Sequence, residues 1–352
     1  MTIPGKKVPV DKIEKHLHEI WEQKASELKQ DLVRSSTINF CVTCELSLLD
    51  KILELLHHVV PYHPGRVVVA AFDEHNTSEQ ITAHVYTYCH EKADQKRICS
   101  EMIILHFGKN SRQHLTGLIL PLILPNLPLY LWWMLSCDQL MDYDSLLKST
   151  NRLIVNSPFL RAVDMETLVE TVLSVEEIKL SDYAWGRITN WREAMAHYID
   201  PDSLQHIQQV TLFSSGENPA LDAWLFVGWL ASRLSWTPKG ILSGRLTFSH
   251  KDQRIDVLFE NKERDNQHLL AVEIKVGPDQ LLFRSQQNSI QILKNDQFLA
   301  SIPLTTDPGQ ILSNELDVLF QDRIYLQALE KLSELFHFKK GIRKDEEQHH
   351  TY

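Results

Sequence analysis

Two groups of residues have the types and spacing to do chemistry, and each depends on the element that carries it. Cys41 and Cys44 form a Cys-x-x-Cys pair. In redox sites that spacing sits at a helix N-terminus, where the dipole lowers the thiol pKa. Here the surrounding STINFCVTCEL is β-branched and aromatic, the composition of a strand. Residues three apart on a strand point to opposite faces, so the two thiols are expected to pack as small core side chains. A zinc site would need two more ligands, for which Cys89, His90 and Cys99 are the candidates, without a second Cys-x-x-Cys. The other group is Asp256 with Glu273 and Lys275, the D…ExK outline of metal-dependent nucleases. There, carboxylates hold Mg²⁺ and a lysine supports the attacking water. The alternation of Ile255, Val257 and Phe259, and of Val272, Ile274 and Val276, offers a plainer account. A hairpin across ERDNQ would set Asp256 opposite Lys275 as a cross-strand ion pair on the wet face.

The charge balance favours the plainer account. Lys and Arg total 36 against 46 Asp and Glu, a net charge of −10. Proteins that live on phosphate backbones show the opposite balance or a basic face, so nucleic acid is excluded as a partner. No GxGxxG, GxxxxGK[ST], GxSxG or HExxH occurs, and the 17 histidines scatter. No catalytic set, resident metal or cofactor emerges, and the chain reads as a non-enzyme. Trp132 and Trp133 would suit stacking on a sugar ring, as in a sugar-phosphate-binding protein, but they end an apolar strand and read as core.

Five cysteines and an N-terminus with charges and no apolar stretch indicate reduced thiols in a cytoplasmic protein. Residues 113–137 hold no Asp, Glu, Lys or Arg and are long enough to span a bilayer. Pro121, Pro125 and Pro128 break that stretch. A helix over 113–122 and a strand over 127–133 fit better, and no membrane association is expected.

The elements that must position these residues follow from period. Residues 11–34 read as an amphipathic helix, 46–60 as a helix stopped by Pro61, and RVVVAAF as a strand buried on both faces. ITAHVYTYC and RICSEMIILHF form a hairpin, and LPLYLWW and RLIVNS are strands around a short helix. Helical patterns run over 164–198. HIQQVTLFSS opens the second half as a strand, followed by a helix over 219–234 with Asn218 as N-cap, Pro219 at its first position, and Gly228 for close approach of a neighbour. Strands LSGRLTFSH, RIDVLFE, HLLAVEIKV and SIQILKN and a helix over 314–336 complete it. The class is α/β. An N-terminal layered α/β domain with a mixed sheet occupies residues 1–160, and a helical bridging segment 161–205. A C-terminal α+β domain with mostly antiparallel strands follows at 206–338, and a disordered tail at 339–352.

What the chemistry leaves over is LSDYAWGRITNWREAMA. If helical, it places Ala184, Ile188, Trp191, Met195 and Tyr198 on one face. Asp182, Trp185, Arg187, Trp191, Arg192 and Glu193 are then candidates either for docking two domains or for anchoring a partner, since Trp and Arg dominate interfaces.

This run resembles the D-x-A-W-x-R-x-x-x-W-R-E segment of the glucose-6-phosphate dehydrogenase assembly proteins, the OpcA family. RSSTINFCV, HPGRVVVA, ICSEMIILHFG, LPLYLWW, NRLIVNS and FVGWLASRLSW are similar to that family's motifs in the same order, from Arg34 to Trp236. Gly65 stands where the family has serine, and Asn126, Asn151 and Asn156 where it usually has aspartate. The resemblance implies a cytoplasmic, non-catalytic protein that binds glucose-6-phosphate dehydrogenase. It would promote oligomerisation or allosteric activation of that enzyme, and so control the oxidative pentose phosphate pathway. It also implies, for some members, redox dependence through thioredoxin, assigned here to no particular cysteine.

Overall fold

The computed structural model describes residues 3–349 apart from 29–31, 35, 92–96, 157–164, 176–177, 200–203, 205, 216–218, 243–244 and 263–267. In chain order the first part holds β1 (Lys6–Val8), α1 (Ile13–Leu28), β2 (Leu32–Arg34), β3 (Ile38–Glu45), α2 (Leu49–Val59), β4 (Gly65–Asp73), β5 (Thr82–Glu91) and β6 (Arg97–Gly108). Next come α3 (Leu115–Ile119), β7 (Leu129–Trp133), α4 (Asp144–Lys148), β8 (Arg152–Val155), α5 (Met165–Ser174), β9 (Lys179–Asp182), α6 (Tyr183–Arg187) and α7 (Thr189–Tyr198). The remainder holds β10 (Ile207–Ser215), α8 (Leu221–Arg233), β11 (Thr237–Leu242), β12 (Arg245–His250), β13 (Gln253–Lys262) and β14 (Leu269–Val276). It ends with β15 (Asp279–Gln286), β16 (Ser289–Lys294), β17 (Gln297–Pro303), α9 (Pro308–Asp317) and α10 (Arg323–His349). The chain divides into two compact units. One comprises Met1–Leu160, Glu177–Tyr183 and Asp307–Gln321, the other Arg161–Glu176, Ala184–Thr306 and Asp322–Tyr352.

In the first unit the sheet runs β1-β5-β6-β4-β3-β7-β8-β9, with β2 on β6. The six strands from β6 to β9 are mutually parallel, and β5 pairs antiparallel with β6 as the hairpin reading expects. β3, β4, β7 and β8 are almost wholly buried, as strands covered on both faces must be. Leu49, Ile52, Leu53 and Leu56 of α2 pack on one face, and Ile311, Leu312 and Leu316 of α9 join the same cluster. The His63 imidazole meets Ser313 Oγ at 2.7 Å, tying the end of α2 to α9.

The sequence reading of one helix over 314–336 is therefore corrected. α9 starts at an Asp307 cap whose side chain accepts from Gln310 N at 2.7 Å. A separate cap at Asp322 accepts from Ile324 N and Tyr325 N and starts α10. α10 stays helical to His349, through most of the segment expected to be a disordered tail. The helix expected over 11–34 stops at Leu28, because β2 pairs with β6. Within the expected helical bridge, residues 179–182 instead form β9 on the sheet edge.

The sheet of the second unit runs β11-β12-β13-β10-β14-β15-β16-β17, antiparallel throughout except for β10 against β13. Both sheets bear out the α/β class. The expected β13–β14 hairpin does not form, since β10 lies between the two strands. Gln209 pairs with Asp256 on one side and with Lys275 on the other. β11, β15 and β17 escaped the sequence reading. The turns Lys251-Asp252 and Asn295-Asp296 have positive φ at both residues and no glycine to signal them. α8 begins at Leu221 with Ala220 at its cap, two residues after the expected N-cap Asn218, which lies outside the described residues. A Cβ on Gly228 would sit 2.6 Å from Ala328 O and 2.9 Å from Leu332 Cγ, so α8 and α10 meet as closely as the glycine suggested. Gly228→Ala is expected to cost about 1–3 kcal/mol through overpacking. A lowered urea midpoint with an unchanged slope would show it.

Candidate interaction site

Numbered by appearance, the parallel strands β6-β4-β3-β7-β8-β9 stand in the order 3-2-1-4-5-6, the doubly wound order whose switch point lies between β3 and β7. Ligands of such sheets lie beyond the strand C-termini at that point, with a pyrophosphate on a glycine-rich turn into the first helix. The β3–α2 turn does not fit a dinucleotide. It reads Glu45-Leu46-Ser47-Leu48, a 3₁₀ turn without glycine, with the Glu45 carboxylate exposed and Asp50 in the first turn of α2. Two carboxylates there repel phosphate. The crevice itself is closed: Met134 N donates to Thr43 O at 3.1 Å, and Trp132, Met134 and Cys44 are buried in the core.

The motif of residues 181–195 changes unit between Tyr183 and Ala184. Asp182, expected on a helix, is the last residue of β9 and fully buried, with Oδ2 accepting from Asn156 Nδ2 at 2.8 Å. In the second unit Trp185 is buried, and its Nε1 donates to Asp322 Oδ2 at 2.8 Å. Its ring lies 5.4 Å from Tyr325, and the Arg192 guanidinium stacks over it at 3.6 Å. Arg192 also donates to Thr189 Oγ1 at 3.0 Å. Arg187 Nη2 lies 3.2 Å from Asp222 Oδ2, a buried carboxylate that also accepts from Leu269 N. Of the expected face, Ala184, Ile188, Trp191 and Met195 are buried, whereas Tyr198 is only half-buried, and the run forms two helices, α6 and α7, rather than one. Glu193 is exposed and accepts from Asn190 Nδ2 at 3.2 Å.

Most of these side chains therefore hold their own unit together. Glu193 instead faces a groove of about 720 Å³, lined also by Asn190, His197 and Tyr198 of α7 and by Ile302 and Pro303 of β17. Asn190, His197, Asp322 and Tyr325 were not legible as members of this cluster. Asn190 and His197 lie on a face of α7 that carries no apolar stripe, and Asp322 and Tyr325 come from a helix start more than 120 residues downstream.

The rival constellations dissolve. Asp256 is paired with Arg254 at 2.9 Å and Arg245 at 3.4 Å rather than with Lys275. Among the described residues no three His, Cys, Asp or Glu side chains are grouped to hold a metal ion. Trp132 is stacked on Phe40 and donates Nε1 to Asn156 O at 2.7 Å. Trp133 is buried against Tyr143, so neither indole can receive a sugar ring. Among the described residues no helix is long and apolar enough to cross a membrane.

One expectation about the thiols is overturned. Cys89 and Cys99, directly opposite each other on β5 and β6, are joined by a disulfide, and Lys24 Nζ lies 3.2 Å from Cys89 Sγ. Cys41 and Cys44 are free and buried in β3, as the strand reading requires. Burial pushes the Cys41 thiol well up, helped by Cys44 beside it, and pushes Cys44 up to about 12. Burial likewise pushes Cys137 up to about 12, with Asp182 and Asp138 adding to it.

Two family models match, described as the glucose-6-phosphate dehydrogenase subunit N-terminal domain over residues 58–170 and the C-terminal domain over residues 178–329. The chain belongs to the OpcA family of glucose-6-phosphate dehydrogenase subunits. A Nostoc punctiforme protein called OpcA, whose name places it in the OxPP cycle, is 31% identical over 201 residues, 53% of this chain and 43% of that protein. Its Synechocystis namesake is 30% identical over 186 residues, 50% of this chain and 38% of that one. The matched stretch thus spans less than half the length of these curated relatives. Among solved structures, the 3-ketoreductase KijD10 from Actinomadura kijaniata, crystallised with NADP and TDP-benzene, aligns with a TM-score of 0.51. Identity is 10%, covering 86% of this chain and 98% of KijD10, a likeness of fold alone.

Most of the departures from the OpcA motifs have local reasons. Asn126 and Asn156 adopt φ of 63° and 62°, a left-handed conformation that asparagine tolerates well. An aspartate at 156 would oppose Asp182, whereas the amide donates to it. Asn151 Oδ1 accepts from Leu129 N, a bond an aspartate would accept equally, so nothing in the structure explains that departure. At Gly65 a Cβ would fall 2.1 Å from Ile38 O, so serine would push β3 and β4 apart. The thiol chemistry is directly measurable. Native protein at pH 8 should take up no iodoacetamide at Cys41, Cys44 or Cys137, because raised pKa values and burial leave no thiolate. Mass spectrometry should find three labels after unfolding and five after unfolding with reductant, from three free thiols and one disulfide.

Proposed function

We propose that this chain is a non-catalytic accessory subunit that binds glucose-6-phosphate dehydrogenase and promotes its oligomerisation or allosteric activation, controlling flux into the oxidative pentose phosphate pathway in the cytoplasm. The observation that carries the reading is a doubly wound sheet of a dehydrogenase-subunit family whose phosphate turn is replaced by Glu45-Leu46-Ser47-Leu48. Such a scaffold can be gripped by a partner without turning over a nucleotide. Activation requires that its surface bind the active conformation of the enzyme better than the inactive one, since only differential affinity shifts an equilibrium. Asp182, Trp185, Arg187, Trp191 and Arg192 serve by holding the elements around the motif in place, and Glu193 by facing the α7–β17 groove.

Mixing the purified chain with the dehydrogenase of its own organism is the test. The two should co-elute on gel filtration, and the KM for glucose 6-phosphate or the kcat should improve by about 5- to 150-fold, the usual range of allosteric coupling. Separate elution with unchanged kinetics would sink the reading.

A redox arm, with thioredoxin as reductant, is favoured by Cys89–Cys99, because disulfides in the cytoplasm are mostly transient or sensing. Dithiothreitol should then change the activation by the native protein and leave that by Cys89→Ser/Cys99→Ser unaltered. Equal responses would remove the redox arm and leave the accessory role standing.

A further inference from the structure

Residues 318–321, between α9 and the cap of α10, present two large apolar side chains to solvent. Leu319 is 66% exposed and Phe320 79%. Single exposed apolar residues are ordinary, but the backbone beneath this pair is held unusually firmly. Lys179 Nζ donates to Leu319 O at 2.9 Å, and Arg152 Nη2 to Phe320 O at 3.3 Å. The Gln321 amide then closes on β9, its Oε1 accepting from Leu180 N at 2.7 Å and its Nε2 donating to Leu180 O at 3.4 Å. Arg152 is itself buried, with Nη1 donating to Ser181 Oγ at 2.7 Å, so the clamp is part of the sheet. The Gln321 bonds explain why the edge strand β9 is covered. Nothing in the first unit explains why the clamped loop carries Leu and Phe outward rather than polar residues.

We infer that Leu319 and Phe320 form a preorganised apolar knob that inserts into an apolar cleft on the dehydrogenase. Because the loop is already ordered, binding it costs little conformational entropy, so more of the energy of burying the pair appears as affinity. A second copy of this chain is the poorer occupant. Each copy carries a net charge of −10, which opposes self-association. The exposed Lys179 at the base of the knob calls for an acidic rim around the cleft.

The inference rests on the accessory-subunit reading, so its test separates the two. Leu319→Ser/Phe320→Ser and Gln321→Ala are compared with native protein for affinity to the dehydrogenase, with Tyr62→Ser, 76% exposed elsewhere in the same unit, as control. The knob predicts that the double variant weakens binding about tenfold or more with an unchanged thermal midpoint. Gln321→Ala should weaken it less, by loosening the clamp, and Tyr62→Ser not at all. Native protein that binds while the double variant binds equally well overturns the knob and leaves the accessory reading intact. Native protein that does not bind the dehydrogenase overturns both. A lowered thermal midpoint in the double variant, or a dimer of the isolated native chain that the double variant abolishes, would assign the pair to folding or to self-association and overturn the knob.

Discussion

A parallel sheet must be covered on both faces, and that requirement organises the first unit. β4, β7 and β8 carry apolar runs, and β3 is buried along nearly all its length although Asn39 and Thr43 interrupt its apolar residues, so each face needs a helical layer of matching size. α2 supplies part of one layer and is itself apolar on several sides, with Leu49, Ile52, Leu53, Leu55, Leu56 and Val59 all buried. Its outer surface is closed by α9, more than two hundred residues downstream, through Ile311, Leu312 and Leu316. Once α9 is docked, residues 318–321 necessarily run past β9. The Lys179, Arg152 and Gln321 contacts follow from that path.

The same sheet carries the doubly wound strand order without the glycine turn that holds a pyrophosphate in such folds. The switch point between β3 and β7 is present in strand order, and the turn after β3 is Glu45-Leu46-Ser47-Leu48. Trp132 spans from Phe40 to the Asn156 carbonyl, and Met134 continues the pairing with Thr43 past the end of β7. Asn156, in a left-handed conformation, then donates to the buried Asp182. Side-chain packing and one polar contact fill these strand ends.

Much of this was legible in the residues. β4, β7 and β8 announced themselves by apolar runs, the hairpin by alternation, and the α8–α10 contact by Gly228. The Cys41–Cys44 spacing on a strand pointed to two small core side chains, and both thiols are free and buried in β3. What stayed hidden was non-local. β10 inserts between β13 and β14, a choice set by packing and not by any turn between them. β9 looks helical because SDYAW continues into α6. α9 and α10 look like one helix because the break at 318–322 carries neither proline nor glycine. The Cys89–Cys99 bridge needed the register of β5 against β6 to be known to the residue. The Trp185–Arg192–Asp322–Tyr325 cluster joins side chains that no local pattern links.

The interleaving of the two units has a consequence for biosynthesis. Domains generally fold as the ribosome releases them, the N-terminal one first. Here the core of the first unit lacks α9 until residue 317 has emerged, by which time most of the second unit has already been made. The apolar flank of α2 therefore stays uncovered on the nascent chain for some 250 residues, from Val59 to Asp307. Contacts so distant along the chain slow the final closure. Such a polypeptide can close its first core only late in synthesis.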